Sequence, residues 1–177
     1  KAATLAIPAA RSFYLSELAA AVAVRAFVSN PGNYPHLSGL RPDLYRCFME
    51  QTWRHMSPGG AVSLIHPETH FTDEKAGLLR EATYERIRRH WQFSNELQLF
   101  DEVDHHKDYG IHVYSAPRQP KFLNACSLYH PDTVNRSLVH DGSGPEPGLK
   151  DVDGNWDLRP HASRIITVTD EVLQAWK

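Results

Sequence analysis

The chain has 177 residues, 41% hydrophobic and 23% charged, with a formal net charge of -2. That is enough for one domain with a buried core, and it excludes the whole-chain basic excess of a general nucleic-acid binder while leaving a local basic face open. Cys47 and Cys126 are the only cysteines, so no disulfide framework is implied and a reducing, cytoplasmic location is expected. No apolar run reaches the roughly 18 residues of a membrane span, so no membrane partner is expected. The alanine-rich start carries Arg11, Glu17 and Arg25 and lacks the apolar core of a signal peptide. The chain opens without Met and stops at Trp176-Lys177 in a helix-like stretch. Both ends lead us to expect a piece of something longer; tag removal or terminal disorder would leave the same pattern.

In chain order, residues 9–29 read as a helix with Phe13, Leu18, Val22 and Phe27 on one apolar side. Asn30-Pro31-Gly32-Asn33-Tyr34-Pro35 breaks it. From Asp43 the spacing of Leu44, Tyr45, Phe48, Met49, Thr52, Trp53 and Met56 predicts a second helix, with Pro42 and Asp43 suited to its first turn. Ser57-Pro58-Gly59-Gly60 stops it, and Ala61-Val62-Ser63-Leu64-Ile65 reads as a short buried strand. The loop His66-Pro67-Glu68-Thr69-His70-Phe71 then leaves the strand's carboxyl end, where open α/β sheets bind ligands. Thr72 reads as the N-cap of a helix to about Arg89, with Leu78, Leu79, Ala82, Thr83 and Ile87 inward. Residues 91–100 alternate as a half-buried strand, with Trp91, Phe93 and Asn95 on one side and Phe100 on the more polar side. A charged loop over residues 101–109 precedes a strand over residues 110–115, and residues 122–128 read as a third short strand. A short helix opens at Pro131, the Gly- and Pro-rich stretch 140–160 reads as loop, and a late strand over residues 164–168 leads into a final helical turn capped by Thr169.

Leu44-Tyr45, Phe48, Glu50, Ser57-Pro58-Gly59-Gly60, the apolar strand, Pro67, Phe71 and Leu79-Arg80 form an ordered set. With Glu96-Leu97-Gln98-Leu99-Phe100 and Tyr109-Gly110-Ile111-His112-Val113-Tyr114, the set resembles the rear half of adenine-specific DNA methyltransferases of restriction-modification and phage-defence systems, over about residues 37–115. The resemblance implies an α/β fold: the rear strands of a Rossmann-like methyltransferase sheet with a closing antiparallel hairpin over residues 1–115. Residues 116–177 would be a loop-rich extension, packed on the same sheet or standing apart. It implies S-adenosylmethionine as cofactor and double-stranded DNA as partner of the intact protein, with the front half of the domain as a further partner. The family's cofactor-binding Gly-rich loop and its Asn-Pro-Pro-aromatic motif do not occur here; Asn30-Pro31-Gly32-Asn33-Tyr34 is the nearest string and reads as a turn. No catalytic residue and no cofactor-binding residue is therefore expected in this chain.

The resemblance implies a substrate role for Phe100, as the aromatic that stacks on an extruded base. A base must leave the duplex for its amine to be reached, and stacking contributes about 1–3 kcal/mol per base. A core phenylalanine at a strand end is the competing reading. Pro67 and Phe71 belong to the loop beside it. Lys107, with His105 and His106, reads either as a phosphate contact or as part of a solvated loop among Asp101, Glu102, Asp104 and Asp108. Arg80, Arg86, Arg88 and Arg89 read as a solvated helix face or a DNA backbone contact. His66 and His70 lie four apart, but Pro67 between them denies the helix that metal spacing needs. His105-His106 with His112 could converge across the hairpin without a fixed carboxylate to complete a site. No metal site is expected from spacing. Two other functions stay open: a non-catalytic DNA-binding or assembly module of a defence complex, and a small hydrolase using the histidines.

Overall fold

The computed structural model describes residues 2–41 and 43–175. The expected roles of Pro42 in a first helical turn and of Trp176-Lys177 in a terminal helix lie outside the described residues. The elements in order are α1 (Ala2–Leu5), α2 (Pro8–Val28), α3 (Leu44–His55), β1 (Ala61–His66), α4 (Thr69–Thr72), α5 (Gly77–Arg86), β2 (Ile87–Ser94), β3 (Asp108–Ser115), β4 (Lys121–Leu128), α6 (Pro131–Ser137), β5 (Ile166–Thr169) and α7 (Asp170–Ala175). The strands form one open five-stranded mixed sheet in the order β1-β3-β2-β4-β5. β3 runs antiparallel to both β1 and β2, β4 runs parallel to β2, and β5 is antiparallel to β4. The segment after Ser115 thus extends the same sheet by two strands. Among the described residues no helix is long and apolar enough to cross a membrane.

Both faces of the sheet are covered, which is what makes the fold α/β. On one face Ile87, Tyr114, Phe122 and Val168 pack with Met49 and Trp53 of α3 and Leu79 and Ala82 of α5. On the other, Trp91, Phe93, Ala125 and Leu128 pack with Val134 of α6. Side chains alternate along β3, so it feeds both cores; β2 does so because the register shift between Ile87 and Arg89 turns Ile87 to the face opposite Trp91 and Phe93. Burying each such large apolar side chain contributes about 1.5–3 kcal/mol. The 140–160 loop is pinned by Asp157, whose buried carboxylate accepts from the backbone N–H groups of Gly148 and Arg159 and from the Arg159 guanidinium at 2.6 Å. The Arg159 hydrogen bond holds that carboxyl well below the usual carboxylate range.

Five local expectations shift. β1, expected as a buried strand, stands at the edge of the sheet with Ile65 57% exposed. The buried side of α3 is Arg46, Cys47, Met49, Glu50 and Trp53, while Leu44 and Phe48 are 63% and 65% exposed; a period of 3.6 fixes the width of a stripe, and the packed sheet chooses its direction. The helix expected from Thr72 begins at Gly77, because residues 69–72 form a separate turn ending at Asp73. Ile87 starts β2 rather than ending a helix, and Leu78 is exposed. The strand expected over residues 91–100 stops at Ser94, where Asn95–Leu97 winds into a 3-10 turn and Gln98 takes φ +51°. Phe100 therefore sits on a loop, not on a strand face. Asn30-Pro31 is a turn: the Asn30 side chain accepts from Gly32 N–H at 2.8 Å and its carbonyl accepts from Tyr34 N–H at 2.9 Å.

Met49→Ala empties a fully buried position and is expected to cost about 2–5 kcal/mol. Phe48→Ala on the exposed side of the same helix is expected to stay within about 0.5 kcal/mol. Urea unfolding midpoints of the two variants check this; equal losses would place the α3 face where the sequence spacing put it.

Candidate functional site

The carboxyl end of β1 carries His66, and the next residues fold back over the sheet. Two arginines hold them there. Arg46, on the buried face of α3, donates to Asp73 at 2.8 Å and to the Tyr45 hydroxyl at 3.1 Å. Arg80 donates to the carbonyls of Phe71 at 3.2 Å and Asp73 at 2.9 Å, satisfying the end of the α4 turn. Arg86 caps Ala82 and lies over the Trp53 ring, and Arg88 binds the carbonyls of Glu85 and Ile87. Three of the four arginines in the expected basic face thus serve α4 and α5, and Arg88 and Arg89 lie on β2, off the helix.

Under this loop the cross-strand register stacks a column of rings. His66 opposes Gly110, while His112 opposes Leu64 on one side and His90 on the other. The His66 and His112 rings are parallel at 3.9 Å, and the His90 and His112 rings lie 4.9 Å apart. Phe71 packs inside the same column, 5.1 Å from His90 and 5.9 Å from His112. His66 Nδ1–H donates to the Pro67 carbonyl at 2.8 Å, so its Nε2 accepts from the Tyr114 hydroxyl at 3.1 Å. His90 Nδ1 meets Asn124 Oδ1 at 2.7 Å, and its Nε2 contacts Glu68 Oε1. His112 Nε2 stands 3.9 Å from the same oxygen. Gly110 makes this approach possible: a Cβ there would lie 2.6 Å from Glu68 Oε1 and 2.7 Å from His112 Nε2.

Burial disfavours the charged forms of His66, His70 and His112. It pushes the His70 proton affinity down to about 2, with the nearby His66, His90 and Arg46 adding to the effect. Burial lowers His66 and His112 as well. It also raises the Tyr114 hydroxyl well above its ordinary value, so that group remains a donor.

Beside the column opens a cleft of about 620 Å³, its walls mostly apolar and including Pro67, Glu68, Phe100, Val103, Lys107 and Tyr109. Phe100 is 40% exposed and meets Tyr109 edge-on at 5.0 Å. Its loop is set by Asn95, fully buried, whose side chain bonds Phe100 N–H and the carbonyls of Phe100 and Val103 at 2.8–3.1 Å. Three of the four residues expected at the site, Pro67, Phe100 and Lys107, therefore meet around one opening; Phe71 lies beneath it in the ring column. His105 and His106 stack on each other at the hairpin tip, with His106 bound to Asp104, and do not reach His112. Among the described residues, two groups could hold a cation: Glu68, His90 and His112, and the more open Asp104, His105 and His106. Spacing along the chain hides the first group. The available signal is His112 and Tyr114 on alternate positions of a strand, across from Ile111 and Val113; both are fully buried.

No family model matches the chain, and no curated protein matches it. Among solved structures it is similar to the type IIG restriction endonuclease BpuSI, at 16% identity and a TM-score of 0.45, over 84% of this chain and 18% of that one. The chain thus spans less than a fifth of that protein's length. A likeness at that level assigns neither function nor site.

His66, His70 and His112 each bind protons more weakly folded than unfolded. Between the folded value and the unfolded one of about 6.5, the unfolded chain carries more protons. The stability of the neutral column is therefore complete above about pH 6.5 and is lost as the pH falls. In the presence of EDTA we expect melting temperatures that are level above about pH 7. Below about pH 6.5 they should fall, because each ring held neutral loses up to about 1.4 kcal/mol of stability per pH unit. His70→Leu should flatten that slope; a level profile down to about pH 4.5 in the parent would contradict the neutral column.

Proposed function

We propose that this chain forms the rear wall of the target-base pocket in an adenine-specific DNA methyltransferase of a restriction-modification or phage-defence system. The observation that carries this reading is the cleft at the carboxyl end of β1, with the half-open Phe100 ring on one wall, Pro67 on another and Lys107 at the rim. An extruded adenine needs a ring face to stack on and a cation near its phosphate, and it gains most where water is thin. The order β1-β3-β2, with β3 antiparallel between its neighbours, agrees with the closing hairpin that the motif set implies.

The residues of this chain do not fit S-adenosylmethionine. Its strands lead at their carboxyl ends into Pro67-Glu68, Asn95–Leu97 and Tyr129-His130-Pro131, none of them a Gly-rich turn that brings backbone N–H groups to a cofactor. In this reading the donor and the Asn-Pro-Pro-aromatic motif belong to the front half of the domain. Two surfaces support such a partner. α2 buries no residue and exposes Phe13, Val22 and Phe27 at 55–69%, and β1 stands at the end of the strand order. What this chain contributes is shape: a stacking ring held by Asn95 and a dry wall beside it. The same exposed helix would also serve a non-catalytic assembly module, which shares the cleft but lacks methyl transfer.

In the full-length protein, Phe100→Ala is expected to weaken base capture about 5- to 150-fold, the equivalent of one lost stack, with the circular dichroism spectrum unchanged. Methyl incorporation into DNA and 2-aminopurine fluorescence at the target base measure the two sides of that effect. Unchanged turnover would return Phe100 to a structural role, and absence of any donor-dependent incorporation by the parent would favour the assembly module. The 177-residue chain alone is expected to show no micromolar affinity for S-adenosylmethionine; calorimetry that found it would overturn the division of labour.

A further inference from the structure

His90 presents a bookkeeping problem of electron pairs. The Asn124 side-chain amide donates to Cys126 Sγ at 3.3 Å, which turns its Oδ1 toward His90. An amide oxygen only accepts, so His90 Nδ1 carries a proton and the Nε2 of the neutral ring is a lone pair. That lone pair contacts Glu68 Oε1, itself an acceptor when ionised. Two acceptors in contact need a positive centre between them. A proton would serve this pair, yet it leaves His112 unexplained. His112 is fully buried, both of its ring nitrogens lack a hydrogen-bond partner, and its Nε2 is 3.9 Å from the same carboxylate oxygen. Unpartnered buried nitrogens are rare enough to require a cause. A cation bound by all three groups satisfies Glu68 Oε1, His90 Nε2 and His112 Nε2 together.

We propose that Glu68, His90 and His112 form a binding site for one divalent transition-metal ion of the zinc type. Their ligand atoms lie within 4.8 Å of one another. Two imidazole nitrogens and one carboxylate oxygen are a donor set that zinc takes in three-ligand sites, where a fourth position stays open. The surroundings meet the remaining requirements of such a site. Asn124 orients His90 from behind, as second partners orient metal-binding imidazoles. Gly110 keeps clear the space that a Cβ would fill between Glu68 and His112. The three ligands come from the β1 exit loop, β2 and β3, so an ion would tie that loop to the sheet. Glu68 also lines the cleft, so one ligand of the site is reachable from it. The Asp104, His105 and His106 group differs: it comes from one loop segment, and His106 is already hydrogen-bonded to Asp104.

The test strips the full-length protein with EDTA and titrates it with zinc against a chromogenic chelator. The metal content of parent and variants is then compared. Glu68→Gln and His90→Gln should each lose one zinc equivalent relative to the parent, while His106→Gln keeps it. Asn124→Ala should bind about 10–100-fold more weakly. Because the buried variants can lose their fold, cobalt(II) is also added to the stripped parent. An absorption band of four-coordinate cobalt and a zinc-dependent rise in melting temperature are expected. Folded Glu68→Gln and His90→Gln proteins that keep the parent's zinc content would overturn the site, as would loss of the equivalent in His106→Gln. Absence of both the cobalt band and the zinc-dependent stabilisation in the parent would overturn it too. None of these readouts depends on methyl transfer, so the metal site and the proposed function stand or fall separately.

Discussion

The absence of a side chain at Gly110 is the constraint on which the site depends. β3 lies between β1 and β2, so residue 110 has a neighbour on each side: His66 on β1 and Gln92 on β2. With no Cβ there, Glu68 can bend back over the strand and bring its carboxylate against His90, with His112 close behind. Any larger residue would drive its Cβ into the His112 ring and the Glu68 carboxylate and push the two apart. Arg46 and Arg80 hold the loop from its other end through Asp73 and the Phe71 and Asp73 carbonyls. Loop and sheet are thus joined by a close approach at one end and by two guanidinium clamps at the other.

That closure creates two environments a few ångströms apart. Inside is a stack of aromatic and imidazole rings with few hydrogen-bond partners, where a charge is costly unless something of opposite sign enters with it. Outside is the cleft, whose ring of Pro67, Phe100, Val103 and Tyr109 is apolar and whose rim carries Lys107. Glu68 belongs to both. It is the one carboxylate in the column that reaches the cleft wall, which is why the same residue matters to the pocket reading and to the cation reading without making either depend on the other.

Asn95 shows how a polar residue can carry a loop. Its amide binds the backbone at residues 100 and 103 from a fully buried position, so the loop bearing Phe100 is fixed although its side chains are exposed. The sequence alternation placed Asn95 inward correctly and Phe100 outward correctly. It misassigned the backbone between them, because the 3-10 turn and the left-handed Gln98 leave no trace in a period of two.

The sequence by itself determined the kinds and limits of most elements: the helix that ends at Ser57-Pro58-Gly59-Gly60, the short strand after it, the turn at Asn30-Pro31, the strands around residues 111 and 125. Those are local matters, decided by the φ preferences of Gly and Pro and by apolar periodicity. Tertiary structure alone decided direction and convergence. Met49 rather than Phe48 faces the core because the sheet, not the helix, chooses which part of an apolar stripe is covered. Glu68, His90 and His112 meet because strand register pairs His90 with His112, 22 residues on, and the β1 exit loop folds Glu68 back onto them; no spacing along one strand or helix encodes that convergence.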